Sequence, residues 1–356
     1  MKVGIFTFPD SASYGAVLQM LALYRAVEAL GHTPEVIHYY NAYMKAQKHT
    51  RHGVLRRAAG RLLHHRSYSN FTRFERKLLV RYPIAAFSEP GKLPALARRY
   101  DAVICGSDQV WNPDITGGDL SYFLNFCGEN TRRVAYAPSF GIDTFTPEFC
   151  GSIQGELEKF SSLSVREAAG QTLIRDLLGK EVPVVVDPTF LLTANDWEAL
   201  EQPHPLAQGD YILYYTIRSS RKLWQQAVAL SKRTGMKLVA VGGNSLKVRF
   251  KKEENIRYAV DIAPGQWLYL LHHAQYVVTN SFHGTAFSVN YRKDFYVELS
   301  SLTNSRLAQI TQALGLTERI AGEEPLVPAA VDYTVTNRVL PQMRQESMDY
   351  LMKALK

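Results

Sequence analysis

Apolar and polar positions alternate along the chain in a repeating way: a short apolar run, a longer stretch with apolar residues at helical spacing, then another apolar run. Val3 to Phe8 is the first such run and is bounded by Pro9, which predicts a buried strand. Tyr14 to Leu30 carries Val17, Leu18, Leu21, Leu23, Val27 and Leu30 at helical spacing, and Gly31 is placed to end that helix. Glu35 to Tyr40 reads as the next strand, so the opening predicts a right-handed parallel crossover. Residues 44 to 80 read as mainly helical, with Phe71, Phe74 and Leu78 on one face. Asp101 to Cys105, Arg133 to Ala137, Leu163 to Val165 and Val182 to Val186 read as further strands, with a helix from about Pro147 to Phe160 and a shorter one before Val182.

A stretch rich in Pro, Gln and Gly, 202–210, separates this series from a second one. There Tyr211 to Ile217, Lys237 to Val241, Tyr276 to Val278 and Asp294 to Glu298 read as strands. Arg221 to Arg233, Trp267 to His273, a segment opening near His283, Arg306 to Leu314 and Asn337 to Leu355 read as helices. The pattern predicts an α/β chain of two Rossmann-like domains, 1–200 and 201–356, in a GT-B-like arrangement. Ligands are then expected in an interdomain cleft, where strand carboxyl ends and helix amino ends converge.

Overall composition is that of an ordinary globular protein, but the net charge of +8 is unevenly spread. Residues 41–81 hold eleven Lys and Arg against the single acid Glu75, a local charge of +10. Such a segment fits either a solvated helical face or peripheral contact with the inner face of the cytoplasmic membrane. Nucleic acid is not expected as a partner, because no nucleic-acid-binding module is recognisable. Neither a signal peptide nor an apolar run long enough to span a bilayer is visible. Cys105, Cys127 and Cys150 are odd in number and form no CxxC pair, so a reduced, cytoplasmic protein is expected.

Three loops that follow predicted strands hold the candidate chemistry. Tyr276-Val-Val-Thr-Asn-Ser-Phe-His-Gly-Thr-Ala-Phe-Ser turns from strand to helix, with Ser281, His283, Gly284 and Thr285 around the helix mouth. Helix amino termini bind anions, and an imidazole there suits proton transfer near neutral pH. The same residues also fit a plain Ser-capped helix with a structural histidine. Gly106-Ser-Asp-Gln-Val-Trp-Asn-Pro offers Asp108, Gln109, Trp111 and Asn112, polar groups and an aromatic plane suited to a sugar. Its alternative is an Asn-Pro turn with Trp111 packed inside. Pro9 to Gln19 puts Tyr14 and Gly15 at the first helix start, where they line the cleft or merely open the helix; no GxGxxG or Walker loop is present. Arg166, Arg218 and Arg306 fall at strand or helix ends. Guanidinium forks suit carboxylate and phosphate, and each arginine alone also fits an ordinary surface position. No metal is expected: His272 and His273 are adjacent and do not easily share a metal face, and His64 and His65 belong to the basic segment.

The stretches YGAVLQ, GSDQVWNP, LSVRE, DPTFLL and TNSFHGTAFS resemble, in this order, the signature stretches of the polysaccharide pyruvyl transferase family. NSRLAQITQALGL is similar to its carboxy-terminal motif, and the resemblance runs from Met1 to about Leu316. It implies a GT-B-like fold, phosphoenolpyruvate as co-substrate without a further cofactor, and a sugar or lipid-linked oligosaccharide acceptor. The polymer would be a capsule, an exopolysaccharide or a cell-wall component. It also implies that His283 is the catalytic histidine and that Arg166, Arg306 and, at a more variable strand end, Arg218 bind the donor beside Ser281, Gly284 and Thr285. Tyr14, Gln109, Trp111 and Asn112 are expected at the acceptor. The expected reaction protonates the donor's methylene carbon with His283 as general acid, while Asp108 takes a proton from the sugar. Two other readings use the same residues. One is a glycosyltransferase of the same fold using a nucleotide sugar, with Glu298 near the ribose; the other is a non-catalytic binder of anionic glycans.

Overall fold

The computed structural model describes residues 1–8, 13–39, 41–50, 70–71, 73–74, 84–87, 90–242, 255–299 and 304–356. Most of the basic segment 41–81, and with it the expected membrane contact, lies outside the described residues. The chain divides into two compact units: 1–57 with 75–191 and 342–356, and 58–74 with 192–341.

In the first unit β1 (Lys2–Thr7), α1 (Tyr14–Ala29) and β2 (Thr33–Tyr39) form the anticipated parallel crossover, with Gly31 at φ 82° past the helix end. α2 (Ala42–Thr50), β3 (Ile84–Phe87), β4 (Ala102–Cys105), β5 (Arg132–Ala135), α3 (Pro147–Leu157) and α4 (Ala168–Leu178) follow. The strands are parallel in the order β3-β2-β1-β4-β5. β4 is wholly buried, as a strand covered on both faces must be, which is why it reads as an unbroken apolar run. From β1 the chain builds the sheet outward one way through β2 and the other way through β4, so its switch point lies between β1 and β4.

Two expected strands are corrected. Leu163–Val165 and Val182–Val186 meet in a single isolated bridge, Val165 with Val184, and another isolated bridge joins Val134 to Ser162 just before them. Pro183 has no N–H to extend a ladder, and the pairing stops at Val165 N to Pro183 O (3.1 Å) and Val185 N to Val165 O (2.9 Å).

The second unit opens with a short helix, Ala194–Glu198, closed by a Thr193–Asp196 capping box. β6 (Tyr211–Tyr215), α5 (Arg221–Thr234), β7 (Lys237–Val241), β8 (Ile256–Ala259), α6 (Pro264–His272), β9 (Tyr276–Thr279), α7 (Phe282–Asn290), β10 (Asp294–Val297) and α8 (Asn304–Ala313) complete it. Its strands are again parallel, in the order β10-β9-β6-β7-β8, with the switch point between β6 and β9.

The terminal helix α9 (Thr334–Ala354) belongs to both units, passing from the second to the first just after Pro341. Before Pro341, Thr336 Oγ1 donates to Leu314 O (2.8 Å) in the second unit. After it, Val186 N donates to Ser347 Oγ (3.0 Å) and the Tyr350 hydroxyl to Ala135 O (2.8 Å), while Leu351 and Leu355 are buried in the first. The boundary therefore falls after Leu191 rather than after residue 200, and 342–356 join the first unit rather than the second. No helix among the described residues is long and apolar enough to cross a membrane.

Candidate functional site

At the first switch point β4 runs into Gly106 at φ 114°, where a Cβ would fall 2.2 Å from Tyr136 O, so only glycine fits. Ser107 Oγ then donates to Ala137 O (2.8 Å), and Thr7 Oγ1 at the end of β1 donates to Ser107 O (3.0 Å). Asp108 takes a left-handed backbone (φ 70°), with Oδ1 accepting from Gln109 N (2.8 Å). Gln109 Oε1 accepts from Asn112 Nδ2 (2.9 Å), and Asn112 Oδ1 caps the turn by accepting from Asp114 N (3.0 Å). This amide pair lies across Gly141, where a Cβ would meet Gln109 Oε1 at 2.1 Å.

Two expectations are corrected here. Trp111 is fully buried, stacks on Phe123 at 5.1 Å and 9°, and donates its indole N–H to Tyr122 O (2.9 Å), so no face is left for a sugar. Arg166 is not an open anion contact: its side chain is 3% exposed and Nη1 lies 2.8 Å from Asp187 Oδ2, with Glu167 Oε2 at 3.9 Å from Nε. Burial alone would lower its pKa, but the charges of Asp187, Asp108 and Glu167 raise it, so the guanidinium is locked in its charged form among acids. Asp187 is itself held by Thr189, whose N and Oγ1 donate to Oδ1 at 3.0 and 2.8 Å. Asp187 was legible only as the start of DPTFLL, an acid before a proline at the end of an apolar run. Tyr14 opens α1 and is half-buried.

The second switch point is built differently. Asn280, 2% exposed, follows β9 and ties it to the exit of β6: Oδ1 accepts from Ile217 N (3.1 Å) and Nδ2 donates to Arg218 O (2.9 Å). Ser281 Oγ caps α7 by accepting from Gly284 N (3.2 Å), and Thr285 Oγ1 donates back to Ser281 O (3.1 Å). Gly284 is required because a Cβ would fall 2.3 Å from Thr279 Oγ1. Burial pushes the Tyr215 phenol up to about 12, and a hydrogen bond with the Ser281 hydroxyl draws it the other way. His283 is the second residue of α7, half-buried, and Arg218 is exposed. The first N–H groups of a helix lie outside its own ladder, and with the helix dipole they favour an anion at this mouth. Ser220 Oγ donates to Glu298 Oε1 (2.7 Å) at the exit of β10, so an acid stands beside the same edge. Arg306 is buried in α8, which packs against α7.

The structure thus groups Asp108, Gln109, Asn112 and Arg166 in the first unit, and Arg218, Ser281, His283, Gly284 and Thr285 in the second. Asn280, which joins the two strand exits, carries no special signal in the sequence beyond following a strand. A groove of about 780 Å³ lined by Asp101, Arg132, Arg133 and Lys159 opens at the amino ends of β1, β4 and β5, away from every motif loop.

A family model described as polysaccharide pyruvyl transferase matches residues 14–297. No curated protein matches the sequence. Among solved structures the chain is similar to a UDP-GlcNAc 2-epimerase of Methanocaldococcus jannaschii in complex with UDP-GlcNAc and UDP (14% identity, 100% of this chain and 99% of that one, TM-score 0.56). It is similar also to a UDP-GlcNAc 2-epimerase of Neisseria meningitidis bound to UDP-GlcNAc (12% identity, 99% and 100% covered, TM-score 0.54). At such identity the likeness speaks for the GT-B fold alone.

Proposed function

The chain belongs to the polysaccharide pyruvyl transferase family, and on that premise we propose that it moves pyruvate from phosphoenolpyruvate onto two hydroxyls of one sugar as a ketal. The acceptor would be a precursor of a cell-surface polysaccharide, handled in the cytoplasm. The observation that carries the proposal is the mouth of α7, where Asn280 fixes two strand exits, Ser281 caps the helix and His283 stands in the first turn.

In the proposed reaction His283 delivers a proton to the methylene carbon of the donor, which becomes a methyl group. Two sugar oxygens form bonds to the central carbon, and its bond to the phosphate oxygen breaks. Of the two hydroxyl protons lost, one restores the imidazolium and the other leaves with phosphate. Such proton transfer is worth about 10²- to 10⁴-fold. The helix mouth and Arg218 hold the anionic donor, for which a guanidinium fork and helix N–H groups are both suited. Asp108, in the first unit, is the proposed relay for the second of these protons, taking it from the sugar hydroxyl and passing it to the departing phosphate. The basic segment 41–81 is the proposed peripheral membrane contact, suited to a lipid-linked acceptor. Metal plays no part in this scheme, so turnover should survive chelator.

The test is phosphate release from phosphoenolpyruvate in the presence of candidate sugar acceptors, with His283→Ala alongside. Release that depends on both acceptor and His283 supports the proposal. A second reading, transfer from a nucleotide sugar, is favoured by one feature, the Glu298 carboxylate at the exit of β10. Release of nucleoside diphosphate instead of phosphate would establish that reading and remove ours.

A further inference from the structure

A second cluster of ligand-type side chains lies in the second unit, apart from every motif loop. Glu201 follows the short helix Ala194–Glu198, and α6 ends at His272 with His273 next. One ligand atom from each of Glu201, His272 and His273 lies within 4.8 Å of the others. Adjacent residues on a helix point about 100° apart, which argues against neighbours sharing an ion. Here the two rings nonetheless approach to 4.9 Å between centroids. His272 stacks on Tyr291 at 4.3 Å and 11°, while His273 folds back over Tyr269 at 4.0 Å and 27°.

Each ring also has a partner for its other nitrogen. His273 Nδ1 lies 2.9 Å from Tyr269 O; donating there, it leaves the lone pair on Nε2. His272 Nδ1 lies 2.9 Å from Glu201 Oε1, and its Nε2 lies 3.8 Å from Glu198 Oε1. Metal-ligating imidazoles typically give their remaining N–H to a carbonyl or carboxylate, as His273 can to Tyr269 O, whereas Glu198 stands within ion-pair reach of His272 Nε2 without a hydrogen bond to it. The Glu201 side chain is 9% exposed, so the cluster has one dry wall.

We propose that Glu201, His272 and His273 bind a zinc ion that staples the segment after the short helix to the carboxyl end of α6, with Glu198 as the outer partner of His272. Two imidazoles and a carboxylate, without thiolate, are a donor set that suits zinc, and solvent completes the coordination. Tetrahedral ligands at about 2.05 Å from zinc lie about 3.3 Å apart, so the set closes with shifts of up to about 1.5 Å. The exposed His273 side chain has room for that movement. The cluster sits where α6 leads into the amino end of β9, whereas His283 lies past the carboxyl end of that strand. Its role is therefore structural, and it leaves the metal-free scheme for transfer intact.

The experiment uses the full chain stripped with chelator and titrated with zinc chloride, followed by calorimetry and by thermal unfolding. We expect one zinc per chain at this site, a higher Tm with zinc, and binding at least about 10-fold weaker in His273→Ala and in Glu201→Gln. His273 is exposed, so His273→Ala should fold as the parent does; its zinc-free Tm verifies this. If the cluster is only an ion pair around His272, zinc leaves Tm unchanged. That result, or zinc affinity equal in the parent and both variants, overturns the proposal. Both readouts are independent of turnover, so they stand whatever the transfer assay shows.

Discussion

The two switch points begin from the same kind of sequence, an apolar strand followed by small and polar residues, and end as opposites. In the first unit several of these side chains are engaged within the fold: Arg166 pairs with Asp187, Trp111 stacks on Phe123, and Asn112 donates to Gln109, while Asp108 stays half-buried. In the second, the inward role falls to Asn280 and Ser281, which leaves His283 half-buried and Arg218 exposed at the edge. A polar loop after a strand is thus an ambiguous signal. What resolves it is which of its side chains the packing of the unit draws inside, as it does Arg166 and Trp111 but not Arg218.

This contrast is best broken by exchanging stability and activity readouts between the two regions. His283→Ala should lower phosphate release by at least about 10²-fold with an unchanged unfolding midpoint. Parent-like turnover in this variant would remove the distinction between the regions. Asp187→Ala strips Arg166 of its closest partner inside the first unit and should cost about 3–5 kcal/mol in urea unfolding. A loss under about 1 kcal/mol would mean that the guanidinium can reach water or another acid. Ser281→Ala removes the cap of α7 and should cost about 1 kcal/mol, while weakening protection by phosphoenolpyruvate in thermal unfolding. Arg218→Ala should shift stability by no more than about 0.5 kcal/mol, and its effect should appear as a raised KM for the donor. If Arg218→Ala destabilises as much as Asp187→Ala, the two edges are not opposites at all.

The central strands were legible because burial on both faces makes them continuous apolar runs, as in Ala102–Cys105 and Tyr211–Tyr215. Strand β8, Ile256–Ala259, was not, since at the sheet edge Arg257 is exposed and the run is broken. Val182–Val186 failed the other way, being apolar enough for a strand but paired through a single bridge. At the site, Ser281 as cap and Gly284 as close contact followed from the turn of strand into helix. The fate of Arg166 did not, because its partner lies 21 residues further along the chain and no local pattern links them. Trp111 was equally undetermined, since an indole suited to stacking on a sugar is as well suited to stacking on Phe123.

The terminal helix has a consequence for biosynthesis. Ser347, Tyr350, Leu351 and Leu355 supply part of the interior of a unit whose sheet is encoded at the start of the chain. On the ribosome that unit lacks part of its interior until residues 342–356 have emerged, by which time the second unit already has its own strands in hand. Domains usually mature in order of synthesis; here the earliest-made one is completed last.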